Sequence, residues 1–280
     1  MARLVTGSSG GMLTVFLAVG LAVGPGSTPF LPTPVSAAAE AGVGASGQTP
    51  TSRAGSVGAG RPTAAYERRV IGRSRAGRPI FAWRLGEPAG RPVVLLSTMH
   101  GDEPTTRSIL TSLRDGRPVT GIDLWVVPVV NPDGLARGTR YNARGVDLNR
   151  NFPHSWAELD GRYESGPRPA SEPETRAVMR FLRQVRPSRV VSFHQPLHGV
   201  DTDTKDARFA RRLARALRLP PTRLDCGGVC HGTMTGWFNA RFGGAALTVE
   251  YGAHPARHRM RTRAPRQLVG ALGGRRTGRR

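Results

Sequence analysis

Three short apolar runs in this sequence stop abruptly at side chains capable of chemistry. Val93–Ser97 leads into His100-Gly101-Asp102-Glu103, Arg189–Phe193 leads into His194, and Ala245–Val249 leads into Glu250. A brief continuous apolar run, bounded by polar residues, reads as a strand covered on both faces. Sheets made of such strands carry helices above and below, and they place ligands at the carboxyl ends of their strands. The pattern predicts an α/β fold in which separate segments deliver their reactive side chains to one site.

The rest of the chain fits that layering. Tyr66–Ser74 and Pro79–Leu85 read as strands around the turn Arg75-Ala76-Gly77-Arg78. Ile122–Val130 reads as another, with Pro128 pointing to a bulge or an edge position. Helical spacing covers Glu103–Leu113, Glu172–Val185, Ala207–Leu217 and Arg263–Leu272. Ser171 with Glu174 suits a capping box ahead of the second helix. Strands alternating with helices predict a largely buried sheet.

The two ends differ from this middle. Met12–Val23 is a 12-residue apolar run, short for a bilayer span and long enough for the core of a signal peptide. Prolines at 25, 29, 32 and 34 follow it, and Val35-Ser36-Ala37 or Ala37-Ala38-Ala39 offers a cleavage site. We expect a signal peptide over 1–37, a secreted protein (extracellular or in the cell wall), and no stable membrane span after processing. Residues 38–62 read as a flexible Ala/Gly/Ser/Pro-rich linker, 63–272 as the folded domain, and 273–280 as a basic disordered tail.

Charge bears on partners. Of 280 residues, 41 are basic and 19 acidic, a net charge of +22, and every basic residue but Lys205 is arginine. Residues 255–280 hold nine arginines and no acid. That segment suits attraction to anionic cell-wall polymers or acidic lipid heads, and equally a solubilising tail. Export and the lack of a reader motif argue against nucleic acid. Two cysteines exclude a disulfide-rich mini-fold and a four-cysteine zinc site. In an exported chain Cys226 and Cys230, with three residues between them, are expected to pair.

His100 and Glu103, three apart at a strand-to-helix turn, can hold one metal ion between them. With His194 as a third ligand, a position remains for water, the pattern of catalytic zinc. Singly, each residue reads as well as a surface pair or a core histidine. The segment between them adds Asn131-Pro132-Asp133-Gly134 and then Arg140-Tyr141-Asn142-Ala143-Arg144-Gly145-Val146-Asp147-Leu148-Asn149-Arg150-Asn151-Phe152.

From Ile71 to Glu250, about 180 residues, these motifs in this order resemble the zinc metallocarboxypeptidases of the carboxypeptidase A type. Within that family the chain looks most like compact bacterial murein peptide amidase-like members. The resemblance implies a three-layer α/β/α sandwich with a central mixed, mostly parallel twisted sheet, and one zinc ion per chain. It implies His100, Glu103 and His194 as ligands and Asp147 as the acceptor that orients the His100 ring. Arg140 would donate to the scissile carbonyl oxygen, Asn149 and Arg150 would grip a terminal carboxylate, and Glu250 would be the general base. A plainer role stands beside three of these: a turn cap for Asp147, a surface arginine for Arg150, a salt-bridged strand end for Glu250.

The activity so implied is that of a monomeric metallocarboxypeptidase cutting peptides, with murein stem peptides as one substrate class. An N-acyl-amino-acid deacylase of the same superfamily fits the same clamp, and a non-catalytic basic wall-binding module is a third reading. One feature departs from the family. Its larger members carry a substrate-capping tyrosine shortly before the catalytic glutamate, and Asp225–Trp237 contains none. His231 and Thr233 are the candidates for that contact. His198, His254 and His258 sit in no motif.

Overall fold

The computed structural model describes residues 65–224 and 226–277. The expected signal peptide, the linker and residues 278–280 lie outside the described residues. Strands β1 (Ala65–Arg73) and β2 (Pro79–Gly86) form an antiparallel hairpin, followed by β3 (Pro92–Ser97) and helix α1 (Arg107–Arg114). Then come β4 (Val119–Thr120), β5 (Asp123–Val127), α2 (Pro132–Arg137) and α3 (Pro173–Val185). The remainder is β6 (Arg189–His194), β7 (Leu197–Asp201), α4 (Ala207–Leu217), β8 (Pro221–Thr222), α5 (Met234–Arg241), β9 (Ala245–Gly252), α6 (Ala264–Ala271) and β10 (Arg275–Arg276).

Eight strands make one sheet in the order β1-β2-β5-β3-β6-β9-β7-β8. Its middle, β5-β3-β6-β9, is parallel, with an antiparallel hairpin on one side and antiparallel β7 on the other. The period of two along each strand sends side chains to opposite faces. Val93 and Leu95 of β3 join a core with Ile109 and Leu113 of α1, Leu213 of α4 and Leu268 of α6. Val94 and Leu96 join a second core with Val178 and Phe181 of α3 and Trp237 and Phe238 of α5. The sheet is thus the middle of three layers, a mixed, mostly parallel sheet in a carboxypeptidase A-like fold.

Local sequence explains where the elements stop. In α4 the buried residues Phe209, Ala210, Leu213, Ala214 and Leu217 form one stripe, and the Asp206 carboxylate caps the start by accepting from Phe209 N at 2.9 Å. Helix α1 begins four residues later than its spacing predicts. Glu103 precedes Pro104, which disfavours helical backbone there, so residues 100–106 remain a turn. Strand β5 ends at Val127, and Pro128 follows it; β5 is an interior strand between β2 and β3, neither bulged nor at an edge at that point. The expected capping box at α3 does not form. Pro173 takes the first helical position, Glu172 becomes the N-cap, Ser171 Oγ donates to Glu172 Oε1 at 2.8 Å, and Glu174 accepts from Arg75 N instead. Residues 259–263 form a π-helical turn ahead of α6. The expected tail boundary at 272 also moves, because Arg275 and Arg276 pair with Thr120 and Val119.

Candidate active site

Parallel register brings the reactive residues together. His194 and Glu250 are Cα partners on β6 and β9, and β3 on the other side of β6 ends three residues before His100. The turn that carries His100 and Glu103 is braced by the Asn131–Gly134 segment. Asn131 caps α2, its Oδ1 accepting from Gly134 N at 2.8 Å, and its side-chain amide donates to Met99 O. A β-carbon at Gly101 would overlap the backbone of Gly134, so glycine there lets the two turns touch.

Four atoms then converge. His100 Nδ1 lies 2.7 Å from Glu103 Oε1, His194 Nδ1 lies 3.0 Å from Glu103 Oε2, and the two Nδ1 atoms are 3.2 Å apart. All three residues are buried, and one ligand atom from each falls within 4.8 Å of the others. The outer ring nitrogens are occupied: His100 Nε2 meets Asp147 Oδ1 at 3.0 Å, and His194 Nε2 meets Ser192 Oγ at 2.9 Å. The inner nitrogens thus face each other and a carboxylate across a space that calls for a positive charge. Burial disfavours the His100 cation, yet Glu103 and Asp147 outweigh it and lift its pKa to about 9. Burial likewise opposes the Glu103 anion, while the two histidines hold its carboxyl far below the ordinary range. A field that holds a proton this firmly suits a divalent cation, and two imidazoles with one carboxylate are a zinc donor set.

Asp147 performs two tasks. Its Oδ1 accepts from His100 and from Asn149 N at 2.9 Å, so it both orients the ring and caps the turn over residues 148–150. Its Oδ2 takes Nε and Nη2 of Arg140 at 2.9 and 2.6 Å, which leaves Arg140 Nη1 aimed at the ligand group, 3.3 Å from His100 Nδ1. Asp147→Asn is expected to weaken zinc affinity by about 10–100-fold, measured by competitive titration against a metal indicator; unchanged affinity would remove Asp147 from this role.

The ligands open into a cavity of about 840 Å³ lined also by Arg140, Asn149, Arg150, Tyr163 and Glu250. Glu250 is 8% exposed, and Leu197 N donates to its Oε2 at 3.3 Å. Burial and the nearby Glu103 raise its pKa, with His194 opposing. Arg150 is 4% exposed, and its guanidinium lies 4.8 Å from the centre of the Tyr163 ring. Its Nη1 donates to Asn149 O at 2.9 Å, and its Nε is buried without a partner. Burial, with Arg140 adding to it, pulls its pKa down. Asn149 Oδ1 accepts from Met234 N, tying the carboxamide to the start of α5.

The ligand group and the cavity wall hold His100, Glu103, His194, Arg140, Asn149, Arg150 and Glu250. Thr233 lines the cavity, whereas His231 turns away to meet Ser155 O at 3.0 Å. Cys226 and Cys230 are bonded to each other at the rim. Tyr163, far in sequence from 225–237, also lines the cavity and carries no local signal of its role. Gln195 went unnoticed. Its Oε1 accepts from Thr105 N at 3.2 Å and its Nε2 donates to Ala253 O at 2.9 Å, linking the ends of three segments; its place directly after His194 was the available signal.

Known proteins resemble this chain. Residues 64–200 match the family model described as zinc carboxypeptidase, a span that ends before Glu250. Murein peptide amidase A of Escherichia coli (strain K12) is 34% identical over 171 residues, covering 53% of this chain and 67% of that protein. Carboxypeptidase D of Rattus norvegicus is 30% identical over 212 residues, 52% of this chain and 15% of the relative. The crystal structure of murein-tripeptide amidase MpaA from Escherichia coli O157 superposes with a TM-score of 0.62 at 29% identity, covering 74% of this chain and 92% of that one. Carboxypeptidase A from Helicoverpa armigera, at 19% identity, shares the fold with a TM-score of 0.61 over 75% of this chain and 67% of its own. With a His–Glu–His group intact and zinc as the metal it holds, this chain belongs to the zinc carboxypeptidase family.

Proposed function

We propose that this hydrolase cuts an amide bond next to a free terminal carboxylate, with murein stem peptides as the substrate class. The observation that carries this reading is Arg150: a buried guanidinium in the cavity wall, with an unpartnered Nε, stacked on Tyr163 and beside the ligand group. A guanidinium fork matches a carboxylate through two parallel charge-assisted hydrogen bonds. Burial makes a bound anion count for more there.

Zinc, when bound, supplies a Lewis acid that polarises the carbonyl and makes water acidic enough to attack near neutral pH. Glu250 takes the proton of the attacking water, and its raised pKa suits a base that must later give the proton back. The water oxygen bonds to the carbonyl carbon, Arg140 Nη1 donates to the carbonyl oxygen as negative charge builds there, and Asp147 holds that guanidinium still. The carbon–nitrogen bond then breaks as Glu250 returns the proton to the leaving nitrogen.

Asp201 suggests which residue is released. In a chain with twice as many bases as acids it lines the cavity, yet makes no ion pair among the described residues. Its Oδ1 accepts from Asp203 N and Leu224 N, and burial raises its pKa. A terminal residue with an amine on its side chain would complement it. The expected cell location is outside the membrane, on the strength of the apolar run at 12–23.

The test is mass spectrometry of products from ordinary peptides, stem peptides and small acyl amino acids, with and without a chelator. Chelator-sensitive release of a C-terminal residue or murein unit is expected. Asp201→Asn should cut kcat/KM for amine-bearing terminal residues by about tenfold and spare apolar ones. Cleavage confined to acyl amino acids would replace this reading with the deacylase one.

A further inference from the structure

A second cavity, of about 830 Å³, lies outside the catalytic one. It is walled by Thr111, Ser112, Asp115 and Gly116 at the end of α1, by Arg117, by Arg261 and Arg266 around the start of α6, and by Arg276 and Thr277 at the end of the described chain. Its four arginines come from three segments, and pairing of β10 with β4 holds Arg276 in place.

Their charge is not answered locally. The one carboxylate in the wall, Asp115, is taken by Arg114, with Nε to Oδ1 at 2.6 Å and Nη2 to Oδ2 at 2.7 Å. Arg276 donates Nη2 to Ser112 O at 2.8 Å, while its Nε is buried with no partner. Arg266 donates only to Thr262 O at 3.3 Å. Among the described residues the side chains of Arg117 and Arg261 make no hydrogen bond or ion pair. Burial, together with the like charges of Arg266 and Arg117, pulls the Arg276 pKa down, the mark of guanidiniums held close without a counter-ion. Gly116 allows the approach, since a β-carbon there would collide with the Arg276 guanidinium.

We propose that this arginine cleft is an anchoring site for a polyol-phosphate polymer, a chain of phosphodiesters such as an anionic wall polymer. Guanidinium forks pair with phosphate oxygens bidentately. A cleft of this size, with four arginines on several walls, suits successive phosphates better than a single small anion. The rest of the wall selects among polyanions. Among the described residues it contains no aromatic side chain on which a nucleic-acid base could stack. Nor, among them, does it contain a large apolar side chain that could enter a bilayer. The Ser112 hydroxyl, without a hydrogen bond among the described residues, fits a polyol, and the Thr111 and Thr277 hydroxyls, which donate to backbone carbonyls, can still accept from one. Anchoring here would leave the catalytic cavity free, because the two share no lining residue.

The experiment uses the full chain and poly(glycerol phosphate), followed by isothermal titration calorimetry at constant ionic strength. Two double variants remove equal charge. Arg261→Gln/Arg266→Gln alters the cleft, while Arg180→Gln/Arg183→Gln alters exposed arginines of α3 on the opposite face of the sheet. The cleft variant is expected to lose about tenfold or more in affinity, the α3 variant to bind as the parent does, and both to hydrolyse peptides at the parental rate. Equal weakening of the two variants would overturn the proposal, because binding would then follow net charge alone. Oligo-dT or anionic phospholipid vesicles binding the cleft more tightly than poly(glycerol phosphate) would overturn the assignment of the polymer.

Discussion

Glu250→Gln is expected to lower kcat by about 10²–10⁴-fold, the usual contribution of a positioned general base, while zinc content stays at one per chain. The glutamine fills the same volume at the end of the same strand and still accepts from Leu197 N, so the ligands keep their geometry. What disappears is the ability to hold a proton between attack and departure. Metal analysis beside single-turnover kinetics separates the two effects. Turnover persisting at the parental rate would make Glu250 the salt-bridged strand end that its sequence also allowed. Loss of zinc together with turnover would make its role structural.

Arg150→Gln is expected to reduce kcat/KM by about a hundredfold, because a buried charge-assisted pair contributes ~3 kcal/mol once the partner anion is present. The informative measurement is a comparison of free-acid and C-terminally amidated peptides. The parent should favour the free acid strongly, and in the variant that preference should collapse. Persistence of the preference would move the carboxylate-recognising group elsewhere, with Arg140 the next guanidinium along the wall. Stability should change little, since Asp147, the opposite charge near Arg150, keeps its direct partners His100 and Arg140.

Much of the site was legible because chemistry and local structure coincide along the chain. Strands β3, β6 and β9 are buried on both faces, so each reads as an apolar run, and each run ends beside the residue it positions. The family motifs add Asp147, Asn149 and Arg150, whose neighbours in sequence are their neighbours in space. Strand β7 was missed for the opposite reason. In Leu-His-Gly-Val-Asp the leucine and the histidine are exposed while Gly199 and Val200 are buried, so neither an apolar run nor an alternation appears. Helix α5 is not legible because its eight residues include Gly236 and the adjacent aromatics Trp237 and Phe238, with no one-sided stripe. Tyr163 shares no local pattern with Arg150, and only the path of the intervening loop brings its ring beneath the guanidinium. The periodicity that starts at Glu103 is overridden by Pro104, which disfavours helical backbone there, and the later start of α1 is what leaves Glu103 free to reach both histidines.

The side-by-side placement of His194 and Glu250 on parallel strands makes this enzyme tolerant of one kind of change and intolerant of another. Substitutions along β6 or β9 leave the pairing intact. A single inserted or deleted residue in either strand would turn every later side chain to the other face of the sheet, carrying a ligand or the base into the α1–α4–α6 layer. The rim closed by Cys226 and Cys230 obeys no such register. Laboratory evolution of new substrate preference should therefore accumulate length variation between residues 201 and 244 and almost none within the two strands.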